Sequence, residues 1–129
     1  MFVVLVHSPR RNSFFFKRLP ESEPNLMQLV HPETYLDTQA AIRNCTVVAY
    51  SSIAVEGEVP LFKPPYSSKG CAFLFVSEGS VLPEKVDFKP ILHRRTVDTR
   101  FMSNRKFSKI PKLAPHLLFG NRTTVFFDT

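Results

Sequence analysis

Short apolar runs, separated by proline-rich segments, dominate the middle of the chain. Val47–Ile53 (VVAYSSI) and residues 71–76 (CAFLFV) are rich in Val, Phe and Tyr without a helical period, which is typical of buried strands. Residues 86–92 (VDFKPIL) form a third candidate strand, and Pro90 either places it at a sheet edge or shortens it. The connection 54–70 is long enough for a crossover between parallel neighbours. The pattern predicts an α/β fold with a mostly parallel sheet and flanking helices.

The carboxyl-terminal stretch, residues 105–129, changes from a helical to a strand pattern. Apolar side chains recur at three- and four-residue intervals in its first half, with the cations largely on the other side. Pro111 and Pro115 each remove a backbone donor, so we predict a broken helix or two short pieces. Residues 123–127 have the composition of a buried strand, and Asp128 follows at its carboxyl end.

The amino-terminal part of the chain has no continuous period. Residues 1–6 (MFVVLV) are far too short to cross a bilayer, and we interpret them as a short strand or a ragged start. The Phe triplet at 14–16 lies among mixed charges and prolines, and residues 34–42 fit one or two helical turns. We therefore assign residues 1–43 to a partly irregular extension or stem, and residues 44–129 to the folded domain.

A basic segment carries most of the formal net charge of +6. From Lys89 to Lys112 there are eight Lys or Arg residues and His93, against one acidic residue, Asp98. Three interpretations stay open: a solvated helix face, a positive wall that meets a diphosphate, or a surface that contacts nucleic acid. Nucleic acid ranks third, because few aromatic residues are interleaved and no nucleic-acid-binding motif is present.

Cys45 and Cys71 lie at the starts of the two best strand candidates. Neighbouring parallel strands begin at the same edge of a sheet, so a disulfide is geometrically possible and would contribute about 3 kcal/mol in the chain-entropy model. The alternative is a pair of free buried thiols, which we expect more often. The chain has no Cys-x-x-Cys pair and no His/Cys cluster, so the sequence gives no support for a structural zinc site.

A carboxylate at the end of a buried strand is a candidate metal ligand. Ligands of open α/β sheets bind outside the carboxyl ends of the strands, where Mg²⁺ or Mn²⁺ can bridge a carboxylate and the phosphates of a nucleotide. Asp128 fits that position, although an Asp in such a place is more often a turn residue or a helix cap. The Gly-x-Ser-x-Gly, Walker and Gly-x-Gly-x-x-Gly motifs are absent from the sequence.

The segment KLAPHLLF at residues 112–119, followed by a strand that ends in Phe127 and Asp128, carries a resemblance. It is similar to the central motif of the plant-type TOD/MUCI glycosyltransferase-like family, formerly a domain of unknown function, whose members are taken to be hexosyltransferases. Val47–Ile53 and residues 71–78 are similar, more weakly, to the first two strands of that family. The resemblance covers residues 45–129 and corresponds to the amino-terminal part of the family's domain.

The resemblance implies a partial GT-A-like (Rossmann-like) fold that uses a nucleotide-sugar donor, a glycan acceptor and a divalent metal, Mn²⁺ or Mg²⁺. A complete domain of this type needs roughly twice this length, so we expect an incomplete domain with little or no transferase activity. The implied sites are a metal site at Asp128, diphosphate contacts from Lys109, Lys112 and His116, and base or ribose contacts from Tyr50 and Ser51. For His116, capping of helix carbonyls is an equally weighted alternative.

The family resemblance also implies a location in the Golgi or another secretory lumen, with a membrane anchor that this sequence does not contain. The Asn-x-Thr triplets at Asn44 and Asn121 agree with a luminal compartment. The alternative function, from a different class, is a non-enzymatic basic module that binds nucleic acid or an acidic partner.

Overall fold

The computed structural model describes residues 3–7, 29–60, 70–84 and 88–128, with only the backbone described for residues 3–7 and Asp128. The Phe triplet at 14–16 lies outside these ranges. The strands are β1 (Val3–His7), β2 (Val47–Ile53), β3 (Gly57–Glu58), β4 (Ala72–Ser77), β5 (Ser80–Val81), β6 (Lys89–His93) and β7 (Thr123–Asp128). The helices are α1 (Pro32–Ile42), α2 (Asn104–Ser108), α3 (Ile110–Leu113) and α4 (His116–Phe119).

Within the described ranges, five strands form one sheet in the order β1-β7-β2-β4-β6. β7, β2, β4 and β6 run parallel, whereas β1 pairs antiparallel with β7. The predicted α/β fold with a mostly parallel sheet and flanking helices is confirmed. The third strand begins later than predicted, at Lys89, and its edge position agrees with the presence of Pro90.

Helix α1 is longer than the one or two turns predicted, and it packs against the sheet. His31 caps its first turn by accepting a hydrogen bond from the Glu33 N–H at Nδ1 (3.1 Å), and Pro32 occupies the first turn. The Thr34 hydroxyl donates to the Leu92 carbonyl (3.0 Å) and accepts from the Arg94 N–H (2.9 Å). A helix side chain therefore satisfies backbone groups at the carboxyl end of the edge strand β6 and just beyond it.

Residues 29–43 belong to the packed body of the protein, although the sequence analysis assigns them to an extension. Val30 and Ile42 are fully buried in the main core cluster. Strand β1, from the same predicted extension, is hydrogen-bonded along β7 from His7 to Val3. The described parts of residues 1–43 are thus contiguous with the sheet.

The predicted break in the carboxyl-terminal helix is confirmed, and the sequence explains how it is stabilised. The carbonyl of Pro111 would normally accept from the N–H four residues later, but that residue is Pro115, which has none. The Tyr50 hydroxyl donates to this carbonyl instead, at 2.7 Å. Burial raises the pKa of the Tyr50 phenol well above its usual range, so the hydroxyl keeps its proton.

Aromatic rings fill the core between the sheet and the helices. Tyr50 and Phe75 on adjacent strands contact Phe119 of α4, at centroid distances of 4.7 and 5.9 Å. Each such ring stabilises the fold by roughly 2 to 3 kcal/mol through the apolar area that it buries. On the opposite face of the sheet, Leu74 and Phe127 belong to a second buried cluster.

The expectation of free thiols is wrong, because Cys45 and Cys71 form a disulfide. The residues precede the adjacent parallel strands β2 and β4, and their Cα atoms are 5.9 Å apart, which is within the range that a disulfide spans. Closing a separation of 26 residues stabilises the folded chain by roughly 3 kcal/mol in the chain-entropy model. The crosslink fixes the amino ends of the two central strands.

Candidate functional site

The order of the parallel strands reverses next to β2. Along the chain, β4 is added on one side of β2 and β6 beyond it, and β7 then returns to the other side of β2. Numbered by chain order among the parallel strands alone, the spatial order is 3-2-1-4. This matches the first four strands of the doubly wound nucleotide-binding order 3-2-1-4-5-6, whose ligands bind outside the carboxyl ends of the strands at the reversal. The carboxyl ends of β2 and β7 define that position here.

A small two-stranded parallel ribbon, which is not predicted from the sequence, lies beyond the carboxyl ends of β2 and β4. Strands β3 and β5 follow β2 and β4 directly and pair with each other. The hydroxyls of Ser77 and Ser80 both donate to the Val55 carbonyl, at 3.3 and 2.9 Å. Gly57 and Gly79 adopt φ of 109° and 88°, a backbone conformation that favours glycine.

The two predicted base or ribose contacts, Tyr50 and Ser51, are both buried in β2. Tyr50 is 1% exposed and is held by its bond to Pro111 and by rings on either side. Ser51, the next residue on the strand, is also buried. The Tyr50 phenol therefore contacts α3 and is not presented on an open surface.

Lys112 is brought close to the end of β7. Its Nζ lies 5.4 Å from the centroid of the Phe126 ring, and that ring is 5.2 Å from the ring of Tyr50. Phe126 is two residues before Asp128 in the same strand. Helix α3 therefore places one predicted diphosphate-binding cation beside the last residues of the strand that ends at the reversal.

The remaining predicted site residues have different environments. Lys109 is exposed at the junction of α2 and α3, where its backbone N–H closes the end of α2. His116 is half-buried at the first position of α4. Asp128 is the last residue of β7, in register with Val3 of β1, and its carboxylate lies outside the described side chains. The predicted extended strand up to Asp128 is confirmed.

The first part of the basic segment is used inside the fold. Arg95 donates from Nη1 to the carbonyls of Thr99 and Met102, both at 2.8 Å, and from Nη2 to Asn104 Oδ1 at 2.7 Å. Its guanidinium carbon lies 4.3 Å from the centroid of the Phe107 ring. The planar fork of an Arg suits several fixed acceptors. Arg95 thereby fixes the conformation of the loop 94–104.

Arg94, next to it, is also paired: Nε lies 3.0 Å from a carboxylate oxygen of Glu33 on α1. This ion pair joins α1 to the end of β6. Arg94 and Arg95 are thus both engaged within the fold, which weakens the interpretation of this part of the basic segment as a wall that meets a diphosphate.

His93 is a buried residue that the sequence analysis counted only as part of the basic segment. It stacks on Phe107 with the ring centroids 4.0 Å apart, and it meets Phe75 edge-on. Among the described residues, its Nε2 has no hydrogen-bond partner. Burial, with a smaller contribution from the positive charge of Arg95, lowers the pKa of His93 to about 4.

The second part of the basic segment is exposed. Arg100, Arg105, Lys106 and Lys109 all lie on the surface. Ser103 caps α2 by accepting from the Lys106 N–H at 3.2 Å, so this short helix is fixed at its start. The exposed cations are therefore carried by a defined backbone.

Several features bear on cofactors and membranes. A concavity of about 410 Å³ lies beside the β3–β5 ribbon, between Glu58–Pro60 and Val81–Pro83, away from the residues predicted to bind a nucleotide-sugar. In the part of the chain that the structure describes, no group of three or more His, Cys, Asp or Glu residues is gathered as a metal site. Among those same residues, no helix is both long and apolar enough to cross a membrane.

Comparisons of the chain with protein-family models, with curated proteins and with solved structures find no significant match. The function proposed below therefore rests on the geometry of the site and on the sequence resemblance described above.

The internal roles of His93 and Arg95 go beyond what the sequence predicts. The Thr96-x-x-Thr99 spacing was the available signal, because hydroxyl residues three apart often bond to backbone in a turn. Thr96 N–H donates to Thr99 Oγ1 at 2.7 Å, and Thr99 N–H donates to Thr96 Oγ1 at 3.2 Å. That reciprocal pair closes the turn whose carbonyls Arg95 then binds.

Proposed function

We propose that this chain binds the nucleoside diphosphate part of a nucleotide-sugar at the carboxyl ends of β2 and β7, as part of a glycosyltransferase-like domain. The observation that carries the proposal is the parallel strand order 3-2-1-4, with its reversal between those two strands. The resemblance of residues 112–119 and of the strand ending at Asp128 to a hexosyltransferase family gives the ligand its class.

A divalent metal, Mn²⁺ or Mg²⁺, belongs to this proposal. Such ions are commonly held by one or two carboxylates together with the phosphates of the substrate. Asp128, as the terminal residue of β7, is the proposed protein ligand. The metal would supply charge stabilisation for the diphosphate that leaves when the sugar is transferred to a glycan acceptor.

The protein itself contributes cations and their positioning. Lys112 lies beside Phe126, near the end of β7, and its charge would offset that of the diphosphate. Tyr50 acts indirectly, because its bond to the Pro111 carbonyl holds the helix that carries Lys112. Lys109 and His116 keep their proposed diphosphate contacts, and Ser51 its proposed contact with the nucleoside, as parts of the same hypothesis.

The proposal places the protein in a secretory lumen, such as the Golgi. The Cys45–Cys71 disulfide supports an oxidising compartment, since disulfides are rare in the cytosol. Asn44 and Asn121, which begin the two Asn-x-Thr triplets, are both exposed, as a glycan requires.

Isothermal titration calorimetry with uridine or guanosine diphosphate, with and without Mn²⁺, tests the proposal. We expect saturable binding of one of these diphosphates that depends on Mn²⁺. Asp128→Asn should weaken it by roughly tenfold or more, which is about 1.4 kcal/mol. Asp98→Asn is the matched control, because Asp98 is an exposed carboxylate in the loop 94–104.

Lys112→Gln should weaken diphosphate binding as well, whereas Lys106→Gln, a surface cation of α2, should leave it unchanged. Absence of Mn²⁺-dependent binding to either diphosphate would refute the proposed function. Equal losses in Asp128→Asn and Asp98→Asn would also count against it, because the effect would then be one of general charge.

The alternative function, a basic module that binds nucleic acid or an acidic partner, relies on the exposed cations of the basic segment. Arg94 and Arg95 are engaged within the fold, which leaves Arg100 and the cations of residues 105–109 to carry such binding. Salt-dependent retention on nucleic acid that is lost on Arg100→Glu would favour it over the diphosphate proposal.

A further inference from the structure

The loop 94–104 presents two apolar side chains to solvent. Phe101 is 86% exposed and Val97 is 76% exposed, which makes them the most exposed large apolar residues among those that the structure describes. Their exposure is notable because the loop also contains polar residues that face inward, such as Thr99, which is fully buried. Apolar residues therefore occupy the outer positions of this loop.

The loop that carries them is internally braced. The Arg95 guanidinium binds the carbonyls of Thr99 and Met102, on either side of Phe101. The hydroxyls of Thr96 and Thr99 each accept a backbone N–H of the other residue. Ordering a loop on binding costs backbone conformational entropy, and a braced loop has already incurred much of that cost.

One cation contacts the ring at the apolar tip, and others follow it closely in the chain. The Arg100 guanidinium carbon lies 4.8 Å from the centroid of the Phe101 ring. Helix α2 begins three residues after Phe101 and is only about 8 Å long, so its exposed cations Arg105 and Lys106 lie in the same region, followed by Lys109. One carboxylate, Asp98, lies within the loop. The residues near the Phe101 tip therefore carry a net positive charge.

We propose that the Phe101 tip inserts into the headgroup region of an anionic phospholipid bilayer, with the surrounding cations binding the lipid phosphates. A convex tip with one ring and one Val fits a soft interface, whereas a protein partner generally needs a broad complementary surface of roughly 800 Å². Aromatic and apolar residues prefer the bilayer interface, and nearby Lys and Arg are attracted to anionic lipid. This inference depends neither on the proposed nucleotide site nor on the proposed luminal compartment.

Tryptophan fluorescence of the full chain tests the insertion, because the natural sequence contains no Trp. In Phe101→Trp we expect emission to shift to shorter wavelength with vesicles of phosphatidylcholine and phosphatidylserine, and much less with phosphatidylcholine alone. Leu36→Trp is the matched reporter: Leu36 is 64% exposed on α1, between the acidic residues Glu33 and Asp37. We expect no shift from it.

Sedimentation with the same vesicles measures affinity without the reporter. Phe101→Ser should reduce binding, and Arg105→Gln with Lys106→Gln should reduce it by tenfold or more, on the basis of about fivefold for each cation at an anionic surface. Unchanged thermal unfolding of these surface variants, measured by circular dichroism, shows that the loss is one of binding.

Three results would overturn the inference. The first is no shift of Phe101→Trp emission with anionic vesicles. The second is an equal shift from Leu36→Trp, which would indicate non-specific adsorption. The third is retention on single-stranded nucleic acid, lost in Phe101→Ser, by a chain that does not sediment with vesicles; the loop would then be a nucleic-acid contact.

Discussion

The two parts of the basic segment have similar composition but opposite environments. In the first part, His93 is buried against Phe107 and Arg95 binds backbone carbonyls of its own loop. In the second part, Arg105 and Lys106 lie on the surface of α2. The loop presents the carbonyls of Thr99 and Met102 to the Arg95 guanidinium, whereas Arg105 and Lys106 extend from the exposed side of a short helix.

The lesson is that a run of positive charge is not one functional unit. The first part stabilises the connection between β6 and α2, and the second part exposes its cations to solvent. Substitutions should therefore separate the two parts. Those in the first part should alter the free energy of unfolding, and those in the second part should alter binding alone.

The largest expected effect is the loss of folding stability at acid pH that His93, in the first part of the segment, should cause. Its pKa is lowered from 6.5 to about 4 in the folded protein, so between those pH values the unfolded chain binds a proton that the folded chain does not. The contribution to stability is present above pH 6.5 and is lost as the pH falls towards 4. We expect a loss of roughly 3 kcal/mol across that range, measured by urea unfolding at several pH values.

His93→Phe is the control for this prediction, since Phe preserves an aromatic ring against Phe107 but cannot titrate. The difference in unfolding free energy between the natural chain and His93→Phe should change with pH over this window. A difference that is independent of pH between 6.5 and 4 would show that His93 is not a buried neutral base.

The next effect in size is that of Arg95→Ala, which removes three hydrogen bonds and the contact with Phe107. The carbonyls of Thr99 and Met102 would lose these charged donors. We expect a loss of roughly 2 to 3 kcal/mol in the free energy of unfolding, measured by denaturant titration.

Arg105→Ala provides the comparison from the second part of the segment. Arg105 is exposed, and its substitution should change the free energy of unfolding by no more than about 0.5 kcal/mol. Similar losses for Arg95→Ala and Arg105→Ala would remove the distinction between the two parts of the segment. Arg95→Lys should recover little, because an ammonium cannot reproduce the fork that binds three acceptors.

The smallest effect is expected for Arg94→Ala, which breaks the ion pair with Glu33. The side chains of Arg94 and Glu33 are 38% and 61% exposed, and ion pairs accessible to solvent contribute up to about 1 kcal/mol. A double-mutant cycle of Arg94→Ala with Glu33→Ala measures the coupling. A coupling energy well above 1 kcal/mol would show that Arg94 contributes to folding stability as Arg95 does, and not as a surface cation does.

Most of the sheet could be predicted from the sequence because apolar runs and prolines act locally. Val47–Ile53 was predicted with the observed bounds, and Pro90 correctly indicated an edge strand. The break between α3 and α4 followed from the two prolines. The β3–β5 ribbon was missed, because strands of two residues carry no recognisable period.

The site was less predictable, because its parts depend on contacts between distant segments. Nothing local to Tyr50 indicates that its hydroxyl replaces the missing N–H of Pro115. The pairing of Cys45 with Cys71 was judged from the usual state of buried thiols, although the adjacency of the two parallel strands was the better guide. Strand order, which the sequence does not state, is what locates the reversal between β2 and β7.

The disulfide has a consequence for the protein after proteolytic cleavage. Cys45 and Cys71 flank β2 and the connection that follows it, so a protease that cuts within residues 54–70 separates β2 from β4 in sequence. The two peptides would still be joined covalently at the beginning of both strands. A nicked molecule would therefore migrate as a single species on a gel until a reductant divides it into two fragments.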